Sequence, residues 1–453
     1  MSAAAGTAGS SAEEFFAQVA AQHRRCVWLD GGGARDWSRR RSVIGWLDDD
    51  DVSLSYSAAR REVTRHAAGR SEVVGDDPFV VLEAELAAPG GRPDQWFGYF
   101  GYAARTDLPA RPDPDLPDAV WLRPSHLRSF EHDADGVTSA PQAPVGRGFW
   151  HMDDGVPSSM CQIHRPAGES GPSAAPDYVA AFARVQEALH AGDSYEVNLT
   201  RRQQVTSVHG PVAAYLRLRA MNPAPYAGFL QHDVDDARAW LLSSSPERYA
   251  LIDADARGRV IETKPIKGTT QRGATAAEDD AARAHLASDA KFRAENLMIT
   301  DLLRNDVAMV SEPGSVEVPA LMEVESYASV HQLVSTVRGR LRDNISTLGA
   351  LRALFPAGSM TGAPKLRTME IIDAVEATPR GVYSGAFGWI AGDGRADLGV
   401  VIRSLVTDGT VDDAGRTAYT LGTGGGITVA SEVGDEWAET CWKAERLLRA
   451  LAE

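Results

Sequence analysis

The sequence predicts an α/β protein built on large mixed or antiparallel sheets. Three observations carry that expectation. Runs with strand and helix periodicity interleave along the chain. Many strand-like runs follow one another with no helix between them, whereas a doubly wound parallel sheet would need a helical crossover at most steps. The chain has 453 residues, 43% of them hydrophobic, enough for an extensive core. No repeat of fixed period is present.

Taken in order, residues 1–12 are small and polar and are expected to form a disordered tail. They lack the basic and apolar regions of a signal peptide. Residues 13–140 are expected to form an N-terminal part that contributes to the sheets. It holds short β-type runs such as Arg41–Leu47 and Phe79–Leu82, separated by clusters of Asp, Gly and Pro. The run Trp96–Tyr102 (WFGYFGY) suits a strand packed closely on another backbone. Residues 141–176 are rich in Pro, Gly and Ser and read as a linker or surface excursion. Residues 177–453 then form the expected core. Tyr178, Phe182, Val185 and Leu189 mark a helix over 176–191 that Gly192 ends. SYEVNLTRRQQV reads as a strand. Helical stretches follow near 211–221, 276–309, 346–355, 364–376 and 431–452. Strand-like runs fall near 226–231, 239–252, 259–266, 315–318, 332–341, 381–391, 398–408 and 417–422.

The formal net charge of −16 argues against nucleic acid and anionic membrane surfaces as partners. An anionic substrate would need local cations, a metal ion or aimed backbone N–H groups. Three cysteines, Cys26, Cys161 and Cys441, are an odd and sparse set that argues against a disulfide framework and fits a reducing, cytoplasmic setting. No apolar run is long enough to cross a membrane.

Several segments could carry chemistry. In 431–452, Ser431 is a plausible N-cap, and Glu432, Glu436, Glu439, Lys443 and Arg446 share one helical face. That face is either solvated and laced with i,i+4 pairs, or it holds a hard cation on Glu436 and Glu439 with Lys443 beside it to meet an anion. Glu295 lies in line with the apolar stripe of Phe292, Ile299 and Leu302, so it needs either an ion-pair partner or a metal. GTGGGIT, Gly422 to Thr428, is either a flexible turn or a backbone that turns successive N–H groups towards an anion. Lys267 in PIKGT follows a short strand, and Gly268 allows a sharp turn there. Surface exposure is the ordinary fate of a lysine, but a buried one would have a lowered pKa and a nucleophilic amine. Glu247 in SPER would sit at a strand end, His331 would start a strand, and Arg403 would lie inside the apolar strand VVIRSL and need an anion.

Together GDSYEVNLTRR, SSSPERY, ETKPIKGTTQRG, AENLMITDLLRND, VHQLVSTV, FPAGSMTGAPKLRTMEIID, GVYSGAFGWI, VIRSL, TGGGITVAS and EWAETCWKA resemble the chorismate-binding enzymes, strongly over about 176–453 and weakly before it. The resemblance implies a large two-sheet antiparallel α/β sandwich of the anthranilate synthase component I type. It implies Mg²⁺ on Glu295 and Glu439, with Glu436 close by, gripping the ring carboxylate of chorismate. It implies that Arg403, Lys443 and the Gly424, Gly425 and Gly426 amides bind substrate carboxylates, and that Thr361 and Tyr383 line the pocket. Within the family, lysine at 267 resembles the branch that aminates ring C4, where the lysine adds at C2 and ammonia then displaces it. Asn198 fits that branch too. Glu247 would be the general acid and base, and His331 would assist near C2. The alternatives are the anthranilate-forming branch, with alanine in place of lysine, and an inactive relative. Glu196 stands where glutamine is usual. No glutaminase nucleophile segment is present, so ammonia is expected from a separate glutamine amidotransferase subunit. No lyase segment follows residue 453, so the expected product is 4-amino-4-deoxychorismate, a precursor of p-aminobenzoate for folate or secondary metabolism.

Overall fold

Two antiparallel sheets face each other, with helices on both outer surfaces. The computed structural model describes residues 11–31, 41–88, 95–132, 174–327 and 330–453. The first sheet runs β17 (Gly362–Ala363), β9 (Glu196–Ser207), β21 (Thr417–Ile427), β20 (Ser404–Thr407), β11 (Ala239–Ser245), β10 (Tyr226–His232), β1 (Arg25–Asp30), β2 (Arg41–Trp46) and β8 (His126–Glu131). The second runs β14 (Ile266–Gln271), β16 (Val330–Arg340), β13 (Gly258–Lys264), β12 (Arg248–Asp255), β19 (Ala396–Val400), β18 (Ala386–Ala391), β6 (Gln95–Phe100), β7 (Ala119–Leu122), β3 (Ser53–Ser57), β4 (Glu62–Ala67) and β5 (Arg70–Gly75), and β15 (Glu317–Ser326) also pairs with β16. Every pairing among these strands is antiparallel. The expected two-sheet antiparallel sandwich is therefore the fold found.

The helices are α1 (Ala12–Gln22), α2 (Pro78–Ala87), α3 (Pro176–His190), α4 (Pro211–Met221), α5 (Ala276–Ser288), α6 (Ala290–Val310), α7 (Thr347–Leu354), α8 (Lys365–Val375) and α9 (Val433–Leu451). Val27, Phe97, Val120, Leu230, Leu241 and Phe387 meet between the two sheets. Outside the first sheet, α1, α4 and α9 pack through Phe16, Tyr215 and Leu447. Outside the second, α2, α6 and α7 pack through Phe79, Ile299 and Leu351.

Four expectations change. Phe79–Leu82 is helical because Asp77 caps the backbone N–H groups of Phe79 and Val80 and Pro78 fills the first turn. The periodic stretch 276–309 is two helices, since Asp289 leaves the helical region and its carboxylate caps Phe292. Ser11 and Glu14 form a capping box that starts α1, so the expected tail is shorter at its inner end, and residues 1–10 lie outside the described residues. Residues 141–173 of the expected linker also lie outside them. Cys26 is a buried free thiol. Cys441 is disulfide-bonded, which the odd cysteine count did not lead us to expect. Among the described residues no helix is long and apolar enough to cross a membrane.

One feature of the topology positions the site. β11 pairs with β20 in the first sheet, and their chain continuations β12 and β19 pair in the second. A two-stranded ribbon thus passes from one sheet to the other. The ladder is carried across by Ser244 N–H to Arg403 O at 3.1 Å and Val400 N–H to Glu247 O at 2.9 Å. Glu247 and Arg403 sit at the two crossings.

Candidate active site

A cavity of about 450 Å³ opens beside that ribbon, between β14, β21, α6 and α9. Its walls include Lys267, Glu247, Glu295, Tyr383, Arg403, Gly424, Gly425, Gly426, Glu436, Glu439 and Lys443. A volume of this size suits a small-molecule ligand.

Lys267 reaches the cavity through a bulge. Pro265 separates β13 from β14, which lie end to end along β16. The ladder then steps from Ile266 opposite Val334 to Thr269 opposite Gln332, leaving Lys267 and Gly268 out of register. Gly268 adopts φ +94°, a conformation that costs glycine little. The ammonium is 11% exposed and donates to Glu196 Oε1 on β9, whose side chain is wholly buried. Burial alone would lower the lysine pKa, as the sequence suggested. Glu196 first and Glu295 next oppose it, and the net direction is upward. The resting nitrogen is thus a paired ammonium, which corrects the expectation of a free amine.

Glu247 is buried at its crossing, and burial pushes its carboxyl up to about 7 against the pull of Ser359, Lys267 and Lys443. Arg403 is not inside a strand. It lies in the break between β19 and β20 at φ +49°, a strained backbone for a non-glycine residue. Its guanidinium sits 5.4 Å from the centre of the Trp442 ring. Burial first, then Arg446, lowers its pKa to about 10. Among the described residues it has no ion-pair partner, so a desolvated cation faces the cavity unmatched.

The glycine segment is a strand, not a turn. Gly424, Gly425 and Gly426 pair with Thr200, Leu199 and Asn198 of β9. β20 pairs only with Thr420 and Leu421 of β21, so beyond them the opposite edge of β21 borders the cavity. Alternate backbone groups, not successive ones, face that side. At Gly422 a Cβ would lie 2.2 Å from the Tyr383 ring, so glycine there seats the tyrosine.

Carboxylates from α6 and α9 close the remaining side. Lys291, one turn before Glu295, stands between them, 3.9 Å from Glu295 Oε1 and 3.4 Å from Glu436 Oε1. Ser431 Oγ donates to Glu436 at 2.7 Å. It does not cap α9, whose N-cap is Glu432 without a side-chain bond. Glu439 pairs with Lys443 at 2.6 Å, and Lys443 also donates to Gly424 O at 2.7 Å. Burial raises the Glu295 carboxyl to about 7. Among the described residues no three potential ligands converge closely enough to hold a metal ion as they stand. Their donor chemistry nonetheless suits a hard cation. Gly425 leaves room beside them that a Cβ would fill, at 2.9 Å from Glu436 Oε2 and 3.9 Å from Glu439 Oε1.

The model for chorismate binding enzymes matches residues 26–449. The chain belongs to the chorismate-binding enzyme family. It is 41% identical to an aminodeoxychorismate synthase of Streptomyces pristinaespiralis over 98% of this chain and 64% of that one. It is 50% identical to an aminodeoxychorismate synthase of Streptomyces griseus over 59% of this chain and 35% of that one. The chain thus spans less than two thirds of the length of these relatives. Among solved structures, anthranilate synthase component I from Streptococcus pneumoniae superposes with a TM-score of 0.68 at 26% identity, covering 90% of this chain and 92% of that one.

Two residues assigned from the family pattern lie off the cavity wall in this member of the family. His331, on β16, is buried with its side chain off the cavity, Nδ1 2.8 Å from Ser326 and Nε2 3.0 Å from Asp279. The alternation of the strand turns Gln332 to the cavity instead. Thr361 is fully buried, with its hydroxyl 3.2 Å from Gly358 O, and Ser359 and Met360 take the wall. Sequence reasoning also passed over Lys291 and treated Glu196 only as a departure. Lys291 stands four residues before Glu295, which marks an i,i+4 pair. Glu196 and Asn198 share the inward face of a strand by simple alternation.

Proposed function

We propose that the chain is an aminodeoxychorismate synthase component I, converting chorismate and ammonia to 4-amino-4-deoxychorismate. The observation that carries this reading is Lys267. A buried lysine on a bulged strand shares one cavity with Glu247, a carboxyl that burial keeps protonated up to about pH 7. That pairing offers a nucleophile and a proton donor to one small ring. The similarity to two proteins named aminodeoxychorismate synthase supports it.

Substrate carboxylates are met by the unmatched Arg403, by Lys443 and by the open edge of β21 at Gly424, Gly425 and Gly426. Lys267 bonds to C2 as the C4 hydroxyl leaves with the proton of Glu247. Ammonia then bonds at C4, Glu247 takes its surplus proton, and Lys267 leaves C2. Tyr383, seated against Gly422, walls the ring from solvent. Glu295, Glu439 and Glu436 would hold Mg²⁺ once Lys291 swings aside, and the ion would supply positive charge to a substrate carboxylate. His331 and Thr361 support the wall from behind. A separate glutamine amidotransferase subunit supplies the ammonia, and the setting is cytoplasmic.

The test is product identification from chorismate, ammonium chloride and Mg²⁺. The expected product yields p-aminobenzoate only after aminodeoxychorismate lyase is added. Fluorescent anthranilate with pyruvate release, before any lyase, would show the anthranilate-forming reaction instead.

A further inference from the structure

Lys267 must lose a proton before it can attack carbon, and the cavity wall offers few places to put it. Four carboxylates act on the ammonium: Glu196 from β9, Glu247 from the ribbon crossing, Glu295 from α6 and Glu439 from α9. Among them Glu196 is the one within bonding contact of Nζ. Glu247 is committed to the C4 oxygen, and a carboxyl that keeps its own proton near neutral pH is a poor acceptor for a second. Glu439 is engaged by Lys443, and Glu295 lies beside Lys291.

Glu196 differs from a purely structural counter-ion in one respect. Its Oε2 is buried and has no hydrogen-bond partner among the described residues. Two residues along the same face, Asn198 Oδ1 is likewise without a partner, although its amide donates to Ser359 O at 2.9 Å. A buried carboxylate oxygen left unmatched is costly, and a structural ion pair would be expected to satisfy both oxygens. The contact also depends on Gly426, where a Cβ would lie 2.2 Å from Glu196 Oε1 and 2.8 Å from Lys267 Nζ.

Resting on the functional reading above, we propose that Glu196 is the internal base of the reaction, taking the proton of Lys267 as the amine attacks and returning it as the lysine departs. The proton never enters solvent. The Lys267 N–H bond breaks as Glu196 becomes a carboxylic acid. The freed lone pair forms the N–C2 bond, the ring double bond shifts, and the C4–O bond breaks with the oxygen leaving as water on the proton of Glu247. When ammonia bonds at C4, the electrons shift back, the N–C2 bond breaks, and the neutral amine retakes its proton from Glu196. Protons and charge balance over the cycle without any outside acid or base.

The test is single-turnover adduct formation, read by intact mass, with chorismate and Mg²⁺ but no ammonia, across pH 5.5 to 9. In the wild type the rate should fall only on the alkaline side, where Glu247 loses its proton. In Glu196→Gln the lysine must ionise to solvent. An acid-side limb should therefore appear, with the rate climbing about tenfold per pH unit and lying at least about tenfold below wild type at pH 6. Glu196→Asp keeps an acid group, and should be slower but free of that limb. It carries the test if the glutamine variant does not fold. A Glu196→Gln profile that overlays wild type in rate and shape would overturn the proposal, as would an acid-side limb in Glu196→Asp equal to that of an unassisted lysine. A wild type that turns over chorismate without ever forming an adduct would defeat the functional reading and this proposal together. Adducts forming equally in wild type and Glu196→Gln would defeat the role of Glu196 alone.

Discussion

Glu196 and Glu376 are both buried carboxylates bound up with strand β9, yet they are built to different ends. Glu376 accepts from the Thr200 N–H at 2.9 Å, the Thr200 hydroxyl at 2.8 Å, Arg202 at 2.8 Å and Arg380 at 2.8 and 3.1 Å. Arg380 in turn donates to Asn198 O at 2.7 Å and Ser384 Oγ at 3.3 Å. Burial works to raise the Glu376 pKa, but the two arginines outweigh it and hold the carboxylate below its usual range. Glu196 instead has one lysine on one oxygen and, among the described residues, no hydrogen-bond partner on the other. A saturated cluster has no vacancy for a proton and fixes the backbone around it. A half-satisfied cluster at a cavity wall can change protonation state without dismantling anything. One buried charge is held for rigidity; the other, on the proposed mechanism, is placed to carry a proton.

Four measurements test that contrast. The largest effect is expected from Lys267→Ala, which removes the proposed covalent step and should cut amination at C4 by on the order of 10⁴-fold, with chorismate binding retained. Retained wild-type turnover would remove the reactive half of the comparison. Next, Glu247→Gln should cost about 10²- to 10⁴-fold in turnover. The Glu247 carboxyl is raised to about 7, so it holds its proton below that pH and loses it above. Wild-type turnover should therefore fall as pH rises through about 7, and that alkaline limb should be absent from the residual activity of Glu247→Gln. Glu376→Gln should act on the other half. Leaving Arg380 and Arg202 without their counter-charge should cost about 3–5 kcal/mol in urea unfolding, while activity per folded molecule changes less than about threefold. A large loss of turnover in the folded variant would merge the two clusters into one functional unit. The smallest effect is expected at the exposed Asp301–Arg304 pair on α6, 2.8 Å apart. Arg304→Ala should shift stability by no more than about 0.5 kcal/mol, setting the baseline for an ion pair in water.

Much of this architecture was legible in the residues. Helices α4 and α3 fall where periodicity placed them, because Pro at the first turn and the apolar spacing agree with the packing they find. β21 was expected to stop near 422 but runs to Ile427, since pairing with β9 overrides the low strand preference of three glycines. Arg403 was read as a charge inside a strand, because sequence cannot show that VVIRSL changes sheets midway. His331 and Gln332 show the limit most clearly. Neighbouring residues on a strand point to opposite faces, so a one-residue difference in register decides which of them meets the cavity. Lys267 was legible as unusual. Its charge state was not, because that depends on Glu196, 71 positions away in sequence and in contact only after both sheets have assembled.

The ribbon that changes sheets has a consequence for how such a site could diversify. Glu247 and Arg403 are anchored in chain that belongs to both halves of the sandwich, so moving either one drags two sheets with it. Lys267 stands on β14, which pairs with β16 and, beyond the end of β12, with no second strand among the described residues. A bulge on such a margin tolerates exchange of its side chain without repacking the interior. On the proposed mechanism the fold thus separates a rigid grip for an anion from an adjustable residue that selects the bond to be made, and new chemistry would be expected to arise by changing that residue.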